Sequence, residues 1–347
     1  MKYGVGILIS IICAFAQTAT ALQSTWKKGL VEVRPGQKLY VEYRAAVGNK
    51  PTLFLLNGLT WSTRDWKKFV AAMDDIDPDI GFVLYDMRGM GRTLIEYAPI
   101  RENILFEDQV DDLKALRTYL NVKGKTALVG LSYGGAVSIA YPAKYPRDFD
   151  LSIAMAPFIE RLTDQDVMIN GWIGQHRMLY PFDPRTKEEL YDHYLRILIY
   201  STYPAYEPVL LENPWKLEAT FRMVQGAKNF TAVGQVEGLP KDKLHLMGAM
   251  SDDFVKPERL EIFWNAVKAK AASFLKLKLT KHKIPSEEPE IAASWVYQIM
   301  TGNPHIAHGA VFVGDPFKGE ARSGNIVIPL EKAGFCDTLL RTARGPF

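Results

Sequence analysis

The chain has 347 residues, of which 48% are hydrophobic and 23% charged, and 42 basic against 39 acidic side chains leave a formal charge of +3. This is an ordinary globular balance with ample material for a large core. So small a charge, without a basic binding motif, argues against a nucleic-acid partner.

In chain order, Lys2 and the apolar run Val5 to Phe15 have the form of a signal peptide, and Ala19-Thr-Ala21 fits the small-x-small cleavage rule. The run is shorter than the ~20 residues that span a bilayer, so no stable membrane span is expected. A secreted or periplasmic protein starting near Leu22 is the expectation. Cleavage leaves Cys336 as the only cysteine, which rules out an intramolecular disulfide in the mature chain.

Short extended runs begin at about Leu30. Leu30 to Arg34 and Leu39 to Tyr43 flank Pro35-Gly36 and read as a hairpin. Thr52 to Leu56 and Gly81 to Tyr85 read as buried strands on either side of a helix from about Trp66 to Met73. Helix Glu107 to Leu120, strand Thr126 to Leu131, helix Tyr133 to Ala143 and strand Leu151 to Met155 follow. Such alternation predicts a mostly parallel, doubly wound α/β sheet with right-handed crossovers. From Pro157 to about Pro240 the alternation gives way to helical patterns rich in Trp and Tyr. It resumes with strand Lys243 to Met247 and a helix from Pro257 to Phe274. Ala293 to Met300 is read as the last strand and Leu330 to Arg344 as a closing helix. The expected organisation is a signal peptide over 1–21, a core over 22–156 and 241–347, and an inserted helical cap over 157–240.

The strongest chemical signal is Gly130-Leu-Ser132-Tyr-Gly134-Gly135, set between a Val/Leu-rich strand and a helix. A serine forced into a sharp strand-to-helix turn presents its oxygen outside the sheet, and small neighbours let the turn close. The first turn of the following helix offers N–H groups and a partial positive charge to a developing oxyanion.

With these residues the chain resembles the α/β-hydrolase superfamily, in particular esterases and serine peptidases related to proline iminopeptidase. Asp86-Met-Arg88-Gly-Met-Gly91 is similar to the family's structural D-x-R-G-x-G turn. The resemblance implies an oxyanion hole formed by the N–H of Tyr133 and an N–H from Asn57-Gly-Leu59-Thr60, with Leu59 the chosen donor. The peptidases carry His-Gly-Gly-Pro-Gly there, and this departure favours an esterase. The resemblance also implies an acid in Asp252-Asp253-Phe-Val-Lys-Pro257. The family's spacing to proline selects Asp253, with Asp252 the alternate and Glu160 or Asp164 as displaced acids. For the base, the order Ser, acid, His points past the strand expected to end at Met300. His308 is chosen, with His305 the alternate. His176, His193, His245 and His282 lack a matching context and are read as surface or cap residues.

The expected activity is ester hydrolysis on a small apolar substrate through an acyl-enzyme, without a cofactor or a metal. Neither a zinc-binding helix pattern nor a phosphate-binding glycine loop is present. An aminopeptidase stays open and needs a cap acid for the substrate amine, for which Glu207, Glu212 and Glu218 are available. An acyltransferase and a non-catalytic binding protein on the same fold also stay open. The Lys-rich stretch Lys268 to Lys283 is read as a solvated flank.

Overall fold

The computed structural model describes residues 25–160, 163–201, 213–302 and 306–330, the side chains of 163–165 apart. The expected signal peptide, His305, Glu207, Glu212, Cys336 and all of the expected closing helix beyond Leu330 lie outside the described residues. Among those described, no helix is long and apolar enough to cross a membrane.

Among the described residues, eleven strands form one sheet: β1 Lys27–Arg34, β2 Gln37–Arg44, β3 Thr52–Leu56, β4 Gly81–Asp86, β5 Thr126–Leu131, β6 Leu151–Met155, β7 Leu244–Ala249, β8 Ser273–Leu277, β9 Ala310–Asp315, β10 Glu320–Ser323 and β11 Ile326–Pro329. Their order is β1-β2-β4-β3-β5-β6-β7-β8-β9-β10-β11. From β4 to β9 all neighbours run parallel, while the outer pairs at either end are antiparallel. The central strands are buried almost end to end because both faces are covered, which is why they read as continuous apolar runs. This is the α/β-hydrolase fold, as expected.

Helix α1 (Lys67–Ile76), α2 (Gly91–Tyr97), α3 (Phe106–Leu120) and α4 (Tyr133–Lys144) connect the first half of the sheet. Two apolar cores result. One holds Val110, Leu113, Val137, Tyr141, Phe263 and Phe274, and the other holds Phe69, Met73, Trp295, Val296 and Phe312. Between β6 and β7 the chain inserts α5 (Thr163–Leu179), α6 (Lys187–Ser201) and α7 (Lys216–Gly226). Ile169, Ile173, Leu190, Leu195 and Phe221 give these helices a small core of their own. An isolated bridge between Glu160 and Thr231 closes the neck of the insertion.

The second half of the sheet departs from expectation. The helix predicted over Pro257 to Phe274 is helix α8 (Pro257–Val267) followed by β8. A four-residue turn, α9 (Ile284–Glu287), comes next, and the segment read as the last strand is helix α10 (Pro289–Thr301). Ile291 to Val296, Ile299 and Met300 are all buried. A helix apolar almost all round loses the 3.6-residue rhythm that distinguishes it from a buried strand. Pro289 at its first turn and Gly302 at φ 69° beyond its last are start and stop signals present in the sequence. The real strand, Ser-Phe-Leu-Lys-Leu, is only five residues long and lay hidden in the Lys-rich stretch. Its Lys276 pairs with Glu261 at the surface.

Candidate functional site

At the C-terminal end of β5 the chain turns sharply into α4. Ser132 holds this corner at φ 54°, ψ −114°, a conformation that L-residues adopt at a cost. Its N–H donates to Met155 O at 2.9 Å, and its carbonyl accepts the N–H groups of Ala136 and Phe158, also at 2.9 Å. Two glycines make the corner possible. A Cβ at Gly130 would stand 2.2 Å from Gly134 O, and one at Gly134 would stand 2.2 Å from Leu56 O. Among the described residues, four of the six non-glycine residues at positive φ (Thr60, Ser132, Ala156 and Leu279) follow β3, β5, β6 and β8. Backbone strain is therefore concentrated at one edge of the sheet, as it is at many functional sites.

The close approach of Gly134 to the Leu56 and Asn57 carbonyls sets the Asn57–Thr60 turn against the elbow. Leu59 and Tyr133, the two predicted oxyanion donors, thus lie on adjoining loops. Tyr133 is anchored by its buried ring, 5.4 Å from that of Phe106, and burial pushes its phenol pKa up. Asn57 has a structural task that accounts for its presence. Its amide donates to Tyr85 O at 3.1 Å and its carbonyl oxygen accepts the Trp66 indole N–H at 2.9 Å. The Asp86 turn plays the structural part expected of it: the carboxylate accepts N–H bonds from Thr63 at 2.7 Å and Arg92 at 2.8 Å. Burial raises the Asp86 pKa, and those N–H groups oppose the rise. Arg88 pairs with the buried Asp112.

Of the acid and base candidates, the structure pairs the alternate Asp252 with a histidine that the sequence reading set aside, and leaves Asp253 and His308 apart from that pair. The Asp253 carboxylate is 82% exposed, and its ion pair is a loose one with Lys256 at 3.9 Å. Asp252, the alternate, is buried, and its Oδ1 accepts the N–H groups of Phe254 at 2.8 Å and Val255 at 3.0 Å. Its Oδ2 lies 2.7 Å from Nδ1 of His282.

His308 lies on the wrong side of the sheet. It precedes β9, where Gly309 N–H bonds to Ala272 O ahead of β8, and it pairs with Asp242 ahead of β7. Because these strands are parallel, that is the N-terminal edge, opposite Ser132. His282 instead follows β8 at the C-terminal edge. Its loop is tied to the acid loop by Met250 N–H to Leu277 O at 2.9 Å and Ser251 N–H to Thr280 O at 3.0 Å. Sequence reasoning missed His282 because it missed β8. The displaced acid Glu160 is engaged with Arg259 at 2.8 Å, and the Asp164 side chain lies outside the described residues.

Chemically, an imidazole whose Nδ1–H is donated to a buried carboxylate has its basic lone pair fixed on Nε2. His282, with its side chain 14% exposed, keeps access to solvent while Asp252 does not. No group of three or more metal-ligating side chains occurs among the described residues. In the insertion, Glu218 is held by Arg196 and by Arg222, the latter at 2.8 Å.

A family model described as "Serine aminopeptidase, S33" matches residues 48–195, which include the elbow. Among curated proteins, a proline iminopeptidase of Thermoplasma volcanium is 29% identical over 111 residues, covering 31% of this chain and 36% of its own. The chain spans about half or less of the length of the curated relatives it matches, from 36% to 47%. Among solved structures, an α/β hydrolase from a Medee basin deep-sea metagenome superposes with a TM-score of 0.59 at 17% identity, over 79% of this chain and 97% of that one. A thermophilic esterase from Thermogutta terrifontis gives 0.54 at 18%, over 80% and 100%. Strand order and elbow give the chain the α/β-hydrolase fold, and its residues 48–195 are similar to the S33 serine aminopeptidase family.

Proposed function

We propose that the chain is a serine hydrolase acting on carboxylic esters of small apolar molecules, with Ser132 as nucleophile, His282 as base and Asp252 as the acid that orients it. The carrying observation is the Asp252–His282 pair, 2.7 Å apart at the sheet edge that also bears the elbow. Ser132 Oγ attacks the carbonyl carbon as its proton passes to His282 Nε2. The N–H groups of Leu59 and Tyr133 receive the oxyanion, and His282 returns the proton to the departing alcohol. Water, deprotonated by the same nitrogen, then cleaves the acyl-enzyme and restores Ser132. The insertion between β6 and β7 serves in this reading as the cap that walls the acyl pocket.

An aminopeptidase is the second reading, favoured by the S33 match and the iminopeptidase relative. Against it, Glu218 is occupied by two arginines, which leaves it a poor seat for a substrate amine. The deciding measurement compares an acyl-chain series of aryl esters with amino-acid arylamides, together with fluorophosphonate labelling of Ser132. Esters turned over far faster than arylamides support the proposal, and equal rates favour the peptidase. No labelling at all, with ligand binding unchanged in Ser132→Ala, favours a non-catalytic binder. Export with cleavage after Ala21 belongs to the same proposal, and N-terminal sequencing of secreted material tests it.

A further inference from the structure

Phe254 touches both Asp252 and His282. Its side chain is attached directly after the acid pair, and the residue is 59% exposed, so burial is not what holds the ring in place. Its backbone N–H donates to Asp252 Oδ1 at 2.8 Å, while the other oxygen of that carboxylate holds His282. The phenyl ring then lies against the imidazole, with centroids 5.1 Å apart and planes 46° to one another. One carboxylate therefore fixes both the histidine and the residue that leans on it.

A single hydrogen bond at Nδ1 pins one atom of the imidazole and leaves the ring free to swing about that contact. A second contact, on the ring itself, removes the swing. We propose that Phe254 is a positioning residue for the base: its ring confines the His282 imidazole so that Nε2 stays directed to the Ser132 side, and it keeps water from one side of that ring. The inference rests on the assignment of Ser132, Asp252 and His282 as the triad.

The test uses the full chain with Phe254→Ala, Phe254→Leu and Phe254→Tyr, beside His282→Ala, on an aryl acetate and on a fluorophosphonate. Phe254→Ala is expected to lower kcat by about tenfold, the size of effect that a loosened catalytic group produces, with KM changed less than about twofold. Labelling of Ser132 slows by the same factor, because it depends on the same base and uses no alcohol leaving group. Tyr restores both rates and Leu does not. Thermal unfolding midpoints stay within about 2 °C, as befits an exposed side chain. Unchanged kcat and labelling in Phe254→Ala, a loss confined to KM, or equal rescue by Leu overturns the proposal. An inactive His282→Ala beside an unaffected Phe254→Ala removes only this inference. A fully active His282→Ala instead removes the triad assignment beneath it.

Discussion

The loop that follows β5 and the two loops that follow β7 and β8 meet at one edge of the sheet but are shaped by different means. Around Ser132 the geometry comes from missing side chains, since Gly130 and Gly134 allow backbone to touch backbone where a Cβ would stand 2.2 Å from a carbonyl oxygen. Around His282 it comes from side chains themselves: Asp252 bonds two N–H groups and an imidazole, and Phe254 leans on the result. A site made by exclusion is rigid and local. A site made by bonding depends on two segments, thirty residues apart, being carried to the same place.

The sharpest way to break this contrast is to remove the reacting groups on each side. Ser132→Ala and His282→Ala are each expected to lower kcat for aryl esters by roughly a million-fold, because members of a triad fail as a unit. His308→Ala remains within about twofold of the unaltered enzyme, since surface substitutions seldom reach the chemistry. Next in size, Asp252→Asn lowers kcat by roughly ten-thousand-fold by favouring the wrong tautomer. Asp253→Asn leaves the rate of ester turnover in place, and a comparable loss there would return the acid to the exposed carboxylate.

The elbow side is tested through stability. Gly134→Ala forces a methyl group into the Leu56 carbonyl and is expected to lower the unfolding free energy by about 3 kcal/mol in urea titrations. An unchanged midpoint would mean that the backbone contact can relax.

An effect of similar size concerns pH. His245 in β7 is buried, and desolvation lowers its pKa from 6.5 to about 4. The unfolded chain therefore takes up a proton below pH 6.5 that the folded chain refuses until about pH 4. The stabilisation is complete above pH 6.5 and is lost as the pH falls towards 4, about 3 kcal/mol in all. Urea titrations across that window should show this slope, and His245→Gln should flatten it. A slope unchanged in the variant would assign the pH dependence to other groups.

What could be read from the sequence follows the same division. Strands β1 to β7 and the elbow were legible because each is a local pattern: a run of apolar residues, a turn dipeptide, a glycine two residues to either side of the serine. Oxyanion candidates Leu59 and Tyr133 could be placed from the same local information. The Asp252–His282 pair could not, because the choice of histidine depended on strand counting and the choice between two adjacent aspartates depended on burial. One buried helix, Pro289–Thr301, read as a strand, shifted the count and drew the choice of base past Met300 to His308. The five residues of β8 carry too little pattern to resist that error. Asp252 and Asp253 are neighbours in one loop, and sequence spacing carries no sign of which one is buried.

The bridge between Glu160 and Thr231 has a consequence for how this molecule could change over generations. It joins the two ends of an excursion of about 70 residues, so the sheet does not register how long that excursion is. Lengthening, trimming or exchanging what lies beyond the neck alters loop closure only logarithmically. The elbow and the acid–base pair stay where they are. Selection could then revise the substrate-facing helices freely while the chemistry beneath them is inherited intact.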